Sequence, residues 1–225
     1  MVDGYHPPLE EYLETVHSLK EEGTPVIQAR IAERLGRSAP SVSEMLDRLA
    51  LDGYVRRDGR VVQLTDKGSA LAEKVVRRHR LAERLLADVI GLEWYKVHTE
   101  AGRWEHVISD DVEARLVVLL GDPATCPHGN PIPGSGRVRP SAPQLALCET
   151  AVGERVRLER ISEELELDTD ALRYLDAHRF VPGVTATVAS RAPDATVLMD
   201  VTGATVAFGV EIARRLFVSV ATPRA

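Results

Sequence analysis

The chain has 225 residues, 44% of them apolar and 28% charged, with a net charge of −6. That is the composition of an ordinary globular protein; it argues against a general nucleic-acid coat protein but leaves room for a dimer that presents a local basic face to DNA. No apolar run approaches the ~18 residues of a membrane span, the opening MVDGYHPPLEEY lacks a signal-peptide layout, and Cys126 and Cys148 make no disulfide framework, so a cytoplasmic protein with no membrane partner is expected.

In chain order, Leu9, Leu13, Val16 and Leu19 recur at helical spacing behind Pro7 and Pro8, which predicts a helix over 8–22 that ends at Gly23-Thr24-Pro25. Ile27, Ile31 and Leu35 form a second apolar stripe that stops at Gly36. Ser38 is placed to cap a third helix, with Pro40 in its first turn and Val42, Met45, Leu46 and Leu49 on its apolar face. Two helices joined by a tight turn make a helix-turn-helix. Two short strands around Asp58-Gly59 follow, and a hairpin after a helix-turn-helix makes a winged helix. With Thr65 as cap, helical pattern returns over about 66–120; a helix from Gly102 ends in Leu116-Val117-Val118-Leu119-Leu120, expected to serve as core and dimer interface. Residues 121–143 are rich in Gly and Pro and are expected to be a semi-ordered connector. Beyond them VRLERI, VTATVAS, TVLMDV, ATVAFG and FVSVA alternate with turns and a single helix near DTDALRYLDAH, which predicts a small β-barrel. The fold class is therefore mainly α with a small β domain.

Two groups of residues carry chemistry. Ser38, Pro40, Ser41, Ser43 and Glu44 open the expected recognition helix, where hydroxyls can donate to phosphate and Pro40 can touch a thymine methyl; Arg37, Arg57 and Arg60 are placed to meet phosphates. The second group lies between 79 and 106. His79 and Glu83 are four apart and share a helix face, and His98, Glu105 and His106 follow. Imidazoles with carboxylates and no thiolate suit a divalent Mn, Fe, Co or Zn ion. A zinc hydrolase built on these groups is a remote alternative: no HExxH motif is present, and Arg84 and Val107 interrupt both His–acid pairs. A metal-independent adaptor is the other.

The blocks QARIAERLGRSAPSVSEML, RRHRLAERLLADVIGLEWYKVH, RWEHVISDDVEARL and HGNPIPG are long and specific. Through them the chain resembles the diphtheria-toxin-repressor family of metal-activated transcription regulators over essentially its whole length. The resemblance implies a winged-helix domain over 1–73, a helical metal-binding and dimerisation domain over 74–140, a linker over 141–150 and an SH3-like, FeoA-like barrel over 151–225. It implies no enzymatic activity and two metal sites per subunit. The ancillary site would use His79, Glu83, His98 and Asp168, with Asp170 standing in for a ligand position that is Ala171 here. The primary site would use Glu11, the backbone carbonyl of Gly102, Glu105 and His106, with Glu14 as a further candidate. Iron-responsive members carry a methionine and a cysteine where this chain has Glu11 and Gly102; the manganese-responsive branch has an acid-Tyr-x-x-Glu pattern, present here as Glu11-Tyr12-Leu13-Glu14. Glu10 is one step off that register. Oxygen-rich ligation favours Mn²⁺, with Fe²⁺ the alternative and Co²⁺, Ni²⁺, Zn²⁺ or Cd²⁺ as substitutes in vitro. Arg80 and Asn130 correspond to an anion-binding pair, and Cys126 is expected to be a bystander thiol. The implied partners are a palindromic double-stranded DNA operator and a second copy of the chain, with one or two dimers on each operator.

Overall fold

The computed structural model describes residues 8–137 and 143–221. Pro7 and the expected boundary between residues 140 and 141 lie outside the described residues.

Helix α1 spans Pro8–Glu21 and buries Tyr12, Leu13, Val16 and Leu19. Helix α2, Gln28–Leu35, stops at Gly36, whose φ of 59° is the left-handed geometry that closes a helix and that glycine adopts without strain. Helix α3, Ala39–Leu51, starts where the Ser38 hydroxyl accepts the Ser41 N–H at 3.4 Å, with Pro40 in the first turn. Strands β1, Val55–Asp58, and β2, Val61–Leu64, form an antiparallel wing that turns at Gly59 with φ 57°. One core joins α1, α2, α3 and the wing through Leu13, Ile31, Leu46, Leu49 and Val62.

Helix α4, Asp66–Arg84, is capped by the Thr65 hydroxyl, which accepts the Gly68 N–H at 3.1 Å. Gly68 is required there, because a Cβ would lie 2.0 Å from the Tyr54 carbonyl oxygen. The helix widens into a π turn over Leu85–Ile90 and ends at Gly91. A short 3₁₀ turn, Trp94–Lys96, leads to α5, Val97–Ala101. The helix expected from Gly102 begins instead at Asp110: residues 102–107 are turns, and the Ser109 hydroxyl caps α6, Asp110–Leu120. Leu81, Ala82, Leu86, Val97, Ala101, Ile108, Leu116 and Ile132 make the second core. On the outer side of α6, Val118 and Leu119 are 76% and 61% exposed, and Val89, Ile90 and Val112 are exposed too. Among the described residues nothing covers this apolar face.

Residues 121–137 are not a loose connector. Cys126 N–H donates to the Asn130 carbonyl at 2.8 Å, and Cys126, His128, Asn130 and Ile132 are buried. Intrinsic preference for turns at Gly and Pro is satisfied there, but the apolar and polar side chains between them point into the protein.

The last unit is a six-stranded antiparallel sheet: β3 Leu145–Ala146, β4 Arg155–Ile161, β5 Thr185–Arg191, β6 Val197–Val201, β7 Ala204–Phe208 and β8 Leu216–Val220, in the order β3-β8-β4-β5-β6-β7. Its core holds Phe180, Phe208, Leu158, Ile161 and Leu172. Where one helix is expected, two lie between β4 and β5: α7, Glu163–Glu166, and α8, Thr169–Ala177; a further turn, α9, Val210–Ala213, precedes β8. Among the described residues no helix is long and apolar enough to cross a membrane.

Candidate metal centre

Six segments converge where the winged helix meets the rest of the chain. Helix α4 sets His79 and Glu83 on one face, one turn apart. Helix α5 supplies His98, and the turn after it supplies Glu105 and His106. Helix α1 contributes Glu10, Glu11 and Glu14, the loop after α6 contributes Cys126 and His128, and α7 contributes Glu166.

His79 sits at the middle. Its Nδ1 is bonded to Glu105 Oε2, and its Nε2 lies 3.0 Å from His98 Nδ1 and 3.4 Å from Glu83 Oε1. Around Glu83, His98 Nδ1 and His128 Nδ1 each lie 3.2 Å from Oε1, and both also lie 3.0 Å from Glu166 Oε2. His79, Glu83, His98, His128 and Glu166 are all buried. On the other side of His79, a cavity of about 340 Å³ is lined by Glu11, Glu14, His79, Gly102 and Glu105. His106 adjoins Glu105, with Nε2 3.0 Å from Glu105 Oε1 and Nδ1 2.6 Å from Glu10 Oε2. Ligand atoms of His79, Glu83 and His98, of Glu83, Cys126 and His128, and of Glu14, His79 and Glu105 each lie within 4.8 Å of one another.

Burial and charge oppose each other throughout. Burial disfavours the imidazolium of His79, His98 and His128, but the carboxylates around them raise all three pKa values: His79 well above the ordinary value through Glu105 and Glu83, His98 to about 9 through Glu166 and Glu83, and His128 well above it through Glu166 and Glu83. Glu105 is lowered to about 2: burial works against its charge, and His79 and His106 outweigh it. Glu83 and Glu166 are likewise lowered despite burial, His128 being the main charge on each. Glu14 goes the other way, raised well above the carboxylate range by burial and by the neighbouring charges of Glu105 and Glu163. Burial lifts the Cys126 thiol to about 12, with Glu83 adding to it.

The groups of the cluster do not satisfy one another completely. Glu83 Oε2 and His128 Nε2 are buried with no hydrogen-bond partner among the described residues, a state that ordinarily costs about 1–3 kcal/mol for each group. A buried set of imidazoles and carboxylates with unused lone pairs is the donor set of a divalent metal site, so these residues fit such an ion.

Two expected ligands are elsewhere. Asp168 caps α8: its Oδ1 accepts the Asp170 and Ala171 N–H groups at 3.2 and 3.0 Å. Asp170 is exposed and pairs with Arg173 at 3.2 Å. Glu166, two residues before Asp168, occupies the position expected of them, because Ser162 starts a one-turn helix that carries Glu166 inward with Leu165. Glu10, set aside as off register, is the α1 residue bonded to His106. The expected anion pair is also occupied from within. Arg80 forks onto Glu21 at 3.1 and 2.6 Å and lies 3.5 Å from Glu163, while Asn130 donates to the Ile161 carbonyl at 2.9 Å and to Glu166. An internal carboxylate takes the place of the anion.

His128 lies in a Gly- and Pro-rich stretch where periodicity carries no signal; the spacing Cys126-Pro127-His128 is the local pattern that points to it. The DNA-reading face is open: Arg37, Ser38, Pro40, Ser41, Glu44, Arg57 and Arg60 are exposed and Ser43 is partly so, with Arg57 held by Asp47 at 2.7 Å.

Residues 6–60 match the family described as iron dependent repressor, N-terminal DNA binding domain; residues 65–134 match iron dependent repressor, metal binding and dimerisation domain; and residues 145–220 match the FeoA domain. The iron-dependent repressor IdeR of Mycobacterium tuberculosis is 47% identical over 189 residues, covering 80% of this chain and 82% of its own. The diphtheria toxin repressor of Corynebacterium diphtheriae is 45% identical over 174 residues, 74% of this chain and 77% of its own. A solved manganese-dependent transcriptional repressor in complex with manganese superposes with a TM-score of 0.84 at 34% identity, over 95% of this chain and 100% of that one.

Proposed function

The chain belongs to the iron-dependent repressor family of IdeR and the diphtheria toxin repressor, and on that premise we propose that it is a manganese-activated repressor that binds a palindromic operator as a dimer in the cytoplasm. At the coarser level it is a metal-dependent, DNA-binding transcriptional repressor with a dimerisation domain, and its relatives are named as repressors rather than enzymes.

The observation that carries the reading is His79, with one ring nitrogen on Glu105 and the other at His98 and Glu83. It makes two adjoining centres out of one cluster. The primary centre is assigned to Glu11, Glu14, Gly102, Glu105 and His106, with His79 beside them, and the ancillary centre to His79, Glu83, His98, His128 and Glu166. A divalent cation bound there supplies the positive charge that lets these carboxylates share a small space. Glu11 and Glu14 belong to the DNA-binding part, and Glu105 and His106 to the dimerisation part. Drawing them together fixes α1, and with it the spacing of the two recognition helices on the duplex. Ser38, Pro40, Ser41, Ser43 and Glu44 face base edges and phosphates, and Arg37, Arg57 and Arg60 meet the backbone.

Among the described residues no sulfur donor lines the cavity beside α1, which supports Mn²⁺ at the primary centre. The identity of 45–47% with iron-dependent repressors favours Fe²⁺ as the second reading. Anaerobic fluorescence anisotropy on an operator fragment separates them: activation at a lower free concentration of Mn²⁺ than of Fe²⁺ is expected, and the reverse order assigns the protein to iron.

The uncovered face of α6 is the assigned dimer contact. Leu119→Glu is expected to give a monomer by analytical ultracentrifugation and to weaken operator binding by at least about 100-fold, since two linked half-sites are reduced to one. A dimer of unchanged stability in that variant would move the interface elsewhere.

A further inference from the structure

Helix α7 has only four residues, and both of its ends are engaged. At its start, Glu22, which follows α1, accepts the Glu163 and Glu164 N–H groups through Oε1 at 2.9 and 3.4 Å. The other oxygen of Glu22 is held by Arg34 of α2 at 2.7 Å, with the two side chains only 6% and 10% exposed. Glu163 Oε2 accepts the hydroxyl of Ser18 on α1 at 2.7 Å. Glu164 lies 3.6 Å from Arg34 and 2.5 Å from Arg215. At its end, α7 delivers Glu166 to His98 and His128.

We propose that α7 is a latch through which the ancillary centre holds the DNA-reading head: its C-terminal residue joins the metal-ligating cluster while its N-terminal edge grips α1 and α2 through Glu22, Ser18 and Arg34. The proposal rests on the metal-activated reading above.

The chemistry of the seam supports it. Every contact named is polar or ionic, and polar seams between domains open more readily than apolar ones. Undocking leaves Glu22 still paired with Arg34, so the DNA-binding part loses no internal ion pair when α7 leaves. Docking desolvates these charges, which offsets much of their attraction. The docked and open arrangements are therefore close in free energy, and a bias at Glu166 decides between them. Helix α2 is the first helix of the helix-turn-helix, so a grip on Arg34 and Glu22 reaches the element that orients α3.

The test uses full-length protein with Glu22→Ala and, on the opposite side of the seam, Glu164→Ala, which removes the contacts to Arg34 and Arg215, so that a folding defect in one leaves the other to decide. Neither residue is assigned to a metal centre or to the DNA face. Titration calorimetry with Mn²⁺ counts sites, and anisotropy on an operator fragment selected by the wild type measures DNA affinity with Mn²⁺ and with chelator. Both variants are expected to keep two Mn²⁺ per subunit and wild-type DNA affinity in chelator. The rise in DNA affinity on adding Mn²⁺ is expected to shrink about tenfold, and by reciprocity Mn²⁺ affinity should respond less to DNA. Small-angle scattering should report a more extended chain than the wild type. If the wild type responds to Mn²⁺ and the variants respond equally, the latch is wrong and the repressor reading stands. If the wild type shows no response, the repressor reading falls and the latch falls with it.

Discussion

His79→Ala is expected to abolish Mn²⁺-dependent operator binding and to weaken both metal centres, whereas Glu105→Gln should weaken the primary centre most and the ancillary one by less, through the His79 ring that Glu105 holds. The difference follows from position. Glu105 touches only His79 and His106 among the groups assigned to metal. The His79 ring is shared, with one nitrogen toward each centre. Loss of an outer-shell partner alone costs about 10- to 100-fold in metal affinity, and loss of a direct donor costs more, so His79→Ala should fall by at least about 100-fold at one centre and by tens of fold at the other. The protein should still fold, since the small Ala side chain fits a site lined by polar groups and α4 tolerates Ala well. Titration calorimetry of the two variants reads the outcome: an ancillary centre of undiminished affinity in His79→Ala would separate the two centres and remove the ring from its bridging role.

The folding units were legible because each is written in a local code. Ser38 and Thr65 cap the helices they were expected to cap, Gly36 and Gly59 close the turns their positions demand, and alternating Val and Thr mark the strands of the last unit. Helix α6 shows the limit. Apolar residues over 102–120 fit one helix, but the Ser109 hydroxyl accepts the Val112 N–H, and a serine cap with Asp110, Asp111 and Glu113 in the first turn starts a helix rather than continuing one. Of the candidate metal groups, His79 and Glu83 could be placed from spacing alone because a helix fixes their relation. Glu166 and His128 could not. Each reaches the cluster through a segment too short to have a period, and each depends on contacts between parts of the chain 38 to 68 residues apart. Asp168 was the natural choice from sequence for the reason that removes it: an acid just before Thr169-Asp170-Ala171 is a strong helix cap, and its carboxylate is consumed by backbone N–H groups.

Metal binding is expected to release protons at neutral pH, and metal affinity should climb steeply between pH 6 and 9. His98 has its pKa raised from 6.5 to about 9, so in the metal-free protein at pH 7 it carries a proton that it must give up before its Nδ1 can act as a ligand. His79 and His128 are raised as well by the carboxylates around them, the direction that adds to this release. For each proton released, apparent affinity rises about tenfold per pH unit, roughly 1.36 kcal/mol. The stability of the metal-free chain runs the opposite way. The raised His98 pKa stabilises the fold fully below pH 6.5, and that contribution fades as pH rises through about 9. Glu105, lowered from 4.5 to about 2, stabilises the fold above pH 4.5 and ceases to do so as pH falls through about 2. The metal-free chain should therefore be most stable between these limits, and the gain in Tm on adding Mn²⁺ should be small at pH 6 and large at pH 8.5. Calorimetric titrations in two buffers of different ionisation enthalpy count the protons directly. A binding heat that does not depend on the buffer would mean that these imidazoles are already neutral, and the carboxylates around His79 and His98 would then not be holding protons in the way their geometry requires.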